Sequence, residues 1–398
     1  MRIFRKYLLW LLLLLIPCRD WSFDVGISFY AIDLVLLVVA FDYLISGGRR
    51  WMSKLDCIYL GLAVPGIIAL LSLILVGDLE LFLFGTIGLV KLLIYVVGFL
   101  WTRDLYRKEF FRLSIDRLLF YSFIVFSIIA LINFYMVSVY EIDFLGDIFD
   151  SISVRPSYIA FNNLQLSFWI RNTSFAGEPN FLAIWSILIY LFLIKTERGK
   201  SLNGLLLLLC GLVTISTFSR IALAILVLLV LSYIYQLLSN RKVFFLFLLT
   251  LFVALISRNV VLDDRIINGI DSIQNRNYSG DSGRIEIYRQ SIELFFRNPN
   301  GYAVSNYGRA ANRLGTSYEP NPHSSYLMWL LEGGLFGIVW FCVFIFSILR
   351  NYLLKFGLHD AILVSTVLLV LHVNVFDKIF GFFLLVLLPL TQKDYEGN

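Results

Sequence analysis

Seven arginines and no lysine occupy the segment from Asn259 to Gly337: Arg265, Arg276, Arg284, Arg289, Arg297, Arg309 and Arg313. Guanidinium groups are planar, permanently charged forks, suited to gripping phosphate or carboxylate. The segment closes with Glu319-Pro320-Asn321-Pro322-His323. There an imidazole between a rigid turn and a helix start could accept a proton near neutral pH. Two more residues join this set. Arg220 is the sole Lys or Arg of its short loop and opens a long apolar run, where it could meet an anionic group or simply snorkel at a helix end. Glu178 precedes Pro179-Asn180 at a helix start, where it could pair with Arg171, act as a base, or only complement the helix dipole. Together these residue types suit anion binding and proton transfer.

Other chemistries lack their residues. No Walker or Rossmann glycine pattern offers a site for a soluble nucleotide. No paired histidines, cysteine cluster or acidic loop has metal-ligand spacing, so neither metal nor cofactor is expected, and Asp263-Asp264 reads as solvent-facing. Cys18, Cys57, Cys210 and Cys342 are scattered in or beside apolar stretches and read as small buried residues. His359 and His372 read as structural. The net charge of +5 reflects orienting charges, because no basic-aromatic module for nucleic acid is present.

The elements that must position these residues are membrane helices. The 398 residues are 59% hydrophobic and 15% charged, with 36 Phe, and mean hydropathy is +0.81. This composition predicts an all-α polytopic integral membrane protein. Apolar runs predict about twelve transmembrane helices, near 4–18, 27–45, 55–76, 79–101, 117–139, 177–195, 201–218, 220–238, 242–258, 324–349, 359–375 and 376–391. The charged start Met1–Lys6 and its apolar run lack a small-residue cleavage site and read as a retained first helix. Lys and Arg alternate between short connections so that both termini are expected in the cytoplasm. The chain then divides into helices 1–5 (1–139), a first large outer loop (140–180), helices 6–9 (177–258), a second large outer loop (259–323), and helices 10–12 with a tail (324–398).

In the second loop, Asp281 or Ser282 could cap an amphipathic helix over 284–297, stopped by Asn298-Pro299. Ile285, Tyr288, Ile292, Phe295 and Phe296 share its apolar face; Glu286, Arg289, Gln290, Glu293 and Arg297 share the other. Such a helix is expected along the bilayer surface or over a cavity. Lys91 lies mid-span and needs a carboxylate or water, with no partner evident in the sequence.

Several short motifs recur here in a familiar order: Phe175-Ala176-Gly177-Glu178-Pro179-Asn180, Thr217-Phe218-Ser219-Arg220, Gly283-Arg284 leading a helix to Asn298-Pro299-Asn300-Gly301, Pro322-His323-Ser324-Ser325-Tyr326-Leu327, and Leu331-Glu332-Gly333-Gly334-Leu335-Phe336-Gly337. With the loop layout, they resemble the O-antigen polymerase and ligase superfamily (Wzy and WaaL), bacterial inner-membrane glycosyltransferases of the C class (GT-C-like). Ser324 departs from the family, which usually has Asn after the histidine.

The resemblance implies metal-independent transfer of a glycan from undecaprenyl pyrophosphate at the periplasmic face of the inner membrane. It implies that Arg220, Arg284 and Arg289, with Arg171 as a further candidate, bind pyrophosphate, and that Arg284 counters the leaving charge. Tyr326 would contact substrate, and His323 or Glu178 would accept or relay the proton. The expected partners are the lipid-linked oligosaccharide, membrane lipid and a Wzz-like chain-length regulator. The Glu178-Pro179-Asn180 motif favours a polymerase of repeat units over a ligase onto lipid A-core. From another class, a secondary transporter or flippase would show internal repeats, broken helices and mid-bilayer charge.

Overall fold

The computed structural model of the chain describes residues 2–15, 22–24, 28–45, 57, 60–106, 108–140, 145, 179–194, 196, 199, 201–217, 222–223, 225–227, 229–230, 279–313 and 325–356. In lipid a backbone must satisfy its own polar groups, which favours helices. The described chain is accordingly a helical membrane protein. Its first half contains α1 (Arg2–Leu15), α2 (Ala31–Ile45), α3 (Ala63–Val76), α4 (Leu79–Tyr106) and α5 (Glu109–Tyr140). There follow α6 (Pro179–Leu193), α7 (Asn203–Ser216), α8 (Ser279–Arg297), α9 (Tyr307–Arg313) and α10 (Ser325–Phe356). Among the described residues, Leu79–Tyr106 and Glu109–Val137 are helices long and apolar enough to cross a membrane, and Tyr326–Ser347 has the residues for a span but is broken at Gly334.

One departure from the all-α expectation precedes α2. The predicted span 27–45 becomes helical only at Ala31, because β1 (Ser22–Asp24) and β2 (Ser28–Tyr30) pair antiparallel. Phe23 sits opposite Phe29, and the short ladder satisfies backbone groups that would otherwise need water. The predicted spans 242–258, 359–375 and 376–391 lie outside the described residues. Of 220–238, the described residues 222–223, 225–227 and 229–230 are helical.

Packing follows the apolar pattern. Phe181 through Tyr190 of α6 are all buried, as expected for a helix that is hydrophobic all round. Trp185 lies between Phe123 and Phe126 of α5, at ring separations of 5.9 and 6.0 Å. Other large apolar side chains, such as Phe41, Leu75 and Phe346, face outward as lipid-facing residues do. α3 and α4 form a tight hairpin. Gly77 closes α3 at φ 78°, and the Asp78 carboxylate accepts the Leu81 amide at 3.1 Å to start α4.

Lys91 finds its partner on α2. Its Nζ lies 3.2 Å from Asp33 Oδ2, and the Tyr95 hydroxyl donates to Asp33 Oδ1 at 2.7 Å. Further along the same two helices, Trp101 Nε1 donates to Asp42 Oδ2 at 2.7 Å. Arg5 of α1 grips Asp42 with Nε and Nη2 at 2.8 and 3.1 Å. The two ties along α2 and α4 run these helices in the same direction, as alternating spans require, and Arg5 joins the first turn of α1 to the last turn of α2.

The expected straight span 324–349 is broken. Inside α10, Gly334 has φ 63° and ψ −153°, outside the helical region. In an unbroken helix Tyr326 and Phe341 would be about 22 Å apart along the axis. Their ring centroids are 5.3 Å apart, and Trp329 stacks on Phe341 at 5.8 Å. A β-carbon on Gly337 would collide with the Trp329 carbonyl oxygen. The short arm Ser325–Gly333 is therefore folded back against the long arm that follows it.

Candidate active site around the broken helix

A break inside an apolar helix exposes main-chain groups that need partners. Here the connection between α8 and α9 supplies them. Tyr302 N donates to Leu331 O at 2.8 Å, Ala303 N donates to Glu332 O at 2.9 Å, and Leu335 N donates to Pro299 O at 3.1 Å. The backbones meet so closely that a β-carbon on Gly301 or Gly334 would strike the opposing main chain. Both glycines also have positive φ, 90° and 63°, a region that other residues rarely adopt.

The connection is held on its other side by the α3–α4 hairpin. Gly88 leaves room for the Val304 carbonyl, and Gly85 for Ala303 and Asn306. The Asn306 amide donates to the Leu81 and Tyr302 carbonyls. Gly88 lies about 14 Å along α4 from its first residue. Irregular backbone at such depth is tolerated where protein buries it, and Gly301, Tyr302, Ala303 and Asn306 are buried. Burial raises the pKa of the Tyr302 and Tyr307 phenols. Both stay protonated, and the Tyr302 hydroxyl donates to the Leu294 carbonyl at 3.0 Å.

α8 begins at Ser279, earlier than the predicted 284, and ends at Arg297 as Asn298-Pro299 requires. Its small polar first residues suit a helix start. The inward face differs from the predicted apolar stripe. Ser291 and Leu294 are buried against the bundle, whereas Ile292 and Phe296 are 46% and 73% exposed. α8 packs on α10, so the register of that contact, rather than the apolar stripe, selects the buried line.

Of the residues given candidate catalytic or substrate-binding roles, Arg289 and Tyr326 are described in full. Arg289 lies on the exposed side of α8 and pairs with Glu293 one turn on, at 3.3 Å, with 69% and 55% of the side chains exposed. Such a pair contributes about 0.3–0.5 kcal/mol and exchanges readily for another anion. Tyr326 is half-buried, its ring edge-on to Phe341. Arg284 is placed on α8 by its backbone. His323, Glu178, Arg171 and Arg220 lie outside the described residues.

Two residues beyond that set stand at the junction. Arg309 of α9 lies over the Phe84 ring of α4, 3.6 Å from its centroid, a cation–π contact that fixes α9 to the hairpin. Glu332 is the carboxylate inside the break, and the backbone amides of Ser305 and Tyr307 donate to it. Its signal in the sequence was an acidic residue directly before two glycines in an apolar run.

No curated protein matches the chain. Residues 205–342 match the family model described as O-antigen ligase. The match runs from α7 through the α8–α9 connection to the long arm of α10, and includes Arg220, Arg284, Arg289, His323, Tyr326 and Glu332. Arg171 and Glu178 fall before it. Over this segment the chain is similar to the O-antigen ligase family, which supports the resemblance to the superfamily of O-antigen polymerases and ligases.

Proposed function

We propose that the protein is a surface-polysaccharide polymerase, transferring a growing glycan from undecaprenyl pyrophosphate to the next lipid-linked repeat unit. The observation that carries the glycosyl-transfer reading is the family match over 205–342, which spans the arginine-bearing helix α8 and the broken helix that its connection seals. Within that reading, the Glu178-Pro179-Asn180 motif favours the polymerase. The leaving pyrophosphate gains charge as the glycosidic bond breaks, and arginine can stabilise it without a metal. Arg284 and Arg289 lie on one helix, about 7.5 Å of rise apart, and each is a candidate contact for the pyrophosphate. Arg220, with Arg171, would complete the anion site. His323 or Glu178 would take the proton from the acceptor hydroxyl, and Tyr326 would contact sugar. The exposed Ile292 and Phe296 suit an acyl or polyprenyl chain that stays in the membrane. We place the reaction at the periplasmic face of a twelve-span, GT-C-like protein with both termini in the cytoplasm, served by a chain-length regulator.

Two observations favour other readings. The matched family is described as O-antigen ligase, which favours attachment of finished glycan to lipid A-core. The break at Gly334 and the Asp33–Lys91 pair are features of transporters and flippases. A knockout strain complemented with the wild-type gene or with Arg284→Ala or His323→Ala, at matched expression, separates them on a sizing gel. A single repeat on lipid A-core in the knockout, with a ladder restored by wild type alone, is the expected result. Loss of all attached glycan, with lipid-linked polymer accumulating, would indicate the ligase. Repeat units trapped on the cytoplasmic face would indicate a flippase.

A further inference from the structure

The connection between α8 and α9 is strained as well as buried. Ala303 and Ser305 have φ of 66° and 65°, a left-handed conformation that non-glycine residues adopt rarely and at a cost of about 1–3 kcal/mol each. Such strain persists only where the surroundings over-determine it. For both residues the surroundings converge on Glu332: the Ala303 amide donates to its carbonyl, and the Ser305 and Tyr307 amides donate to its carboxylate. Glu332 thus bonds the same loop through main chain and side chain at once. Its second carboxylate oxygen, Oε1, is buried and has no hydrogen-bond partner among the described residues. The acceptor in use is aimed at main-chain amides rather than at a cation. The consequence reaches both ends of the junction, because Ser305 and Tyr307 lead into α9, which carries Arg309, and Glu332 ends the short arm that carries Tyr326 and begins two residues after His323.

We propose that Glu332 is a positioning residue: its carboxylate latches the strained Asn298–Asn306 connection onto the helix break, and so sets the spacing between α9 and the short arm of α10. The role in catalysis rests on the glycosyl-transfer reading above; the latch itself does not. A side chain that fixes geometry from outside the reacting atoms lowers kcat more than it raises KM, since misplacement by about 1 Å can cost roughly 100-fold in rate. A neutral acceptor of the same shape keeps the latch, because amides need only an oxygen in that place.

The test uses the full chain in lipid nanodiscs, as wild type, Glu332→Gln and Glu332→Ala. Two readouts are taken: hydrogen exchange of peptides covering Tyr302–Tyr307, and glycan transfer on lipid-linked repeat units extracted from a polymerase-deletion strain. Glu332→Ala is expected to speed exchange of the Ser305 and Tyr307 amides by roughly 10-fold or more. It should lower kcat by roughly 10- to 100-fold with KM changed less than about 3-fold. Glu332→Gln should hold both near wild type. Wild-type protection in Glu332→Ala overturns the latch, and fast exchange with unchanged kcat overturns the positioning role. A Gln variant as slow in kcat as Ala overturns it too, by showing that charge is what matters. If Glu332→Ala yields no folded protein, Glu332→Asp replaces it; being one methylene shorter it should lose the same protection, and wild-type protection in it overturns the latch. Absence of transfer by the wild type counts against the glycosyl-transfer reading, and the exchange data alone then decide the latch.

Discussion

Asp33 and Glu332 are both carboxylates set into the apolar body of the protein, and they are accommodated in opposite ways. Asp33 is met by side chains, the Lys91 ammonium and the Tyr95 hydroxyl, across two helices that run in the same direction. Glu332 is met by main-chain amides of a strained loop. A side-chain partner of opposite sign makes a pair whose members depend on each other's charge. A main-chain partner makes a latch that depends on shape. The first arrangement holds helices together, and the second holds a loop in a conformation it would not adopt alone.

The largest effect should come from removing the geometry that the latch serves. Gly334→Ala puts a β-carbon against the Pro299 carbonyl and the Asn300 backbone at a positive φ, with no flexible neighbour to yield. It should cost more than about 4 kcal/mol, seen as loss of monodisperse protein on size-exclusion chromatography. A well-folded Gly334→Ala would mean that the break is not needed for the fold.

Next come the charges. Asp33→Leu or Lys91→Met alone should destabilise by about 3 kcal/mol, because each removes the opposite charge beside a mostly buried one, and the double variant should recover most of it. Thermal unfolding of the three variants would show this, and additive losses would deny the pairing. Glu332→Gln should change stability by less than about 1 kcal/mol in the same assay, since the amides keep an acceptor. A loss as large as that of Asp33→Leu would erase the distinction between the two sites.

A smaller effect tests how deep the loop sits. Gly88→Ala meets the Val304 carbonyl and should cost about 1–3 kcal/mol, whereas Gly77→Ala has open space and should show only the conformational cost of about 1 kcal/mol. Equal melting temperatures for the two would argue against the close approach at Gly88. The smallest stability effect belongs to Arg289→Ala, within about 0.5 kcal/mol, since its pair with Glu293 is exposed. A drop in polymer ladder at unchanged stability would mark Arg289 as a substrate contact.

Much of the helical frame is legible in the apolar runs: α4, α5 and α6 stand close to where hydropathy predicts them, and α8 stops at Asn298-Pro299 as its signals indicate. The polar loop is recognisable from its arginines, and the resemblance to the superfamily from short motifs in order, with the family model matching residues 205–342. What local pattern could not supply was pairing. Lys91 announces its need for a carboxylate, but Asp33 lies 58 residues away and is chosen by the register of α2 on α4. The stretch Leu331–Gly337 is compatible with one continuous span, since glycine is tolerated within membrane helices. Only the return of the α8–α9 connection, with its amides and carbonyls aimed at the break, makes the folded-back form the better-satisfied one. Composition and periodicity thus determined the membrane class and the helices, because those depend on each segment's own side chains. The break, the buried face of α8 and the two carboxylate sites were decided by tertiary structure, because they depend on which distant backbone and side-chain groups meet there.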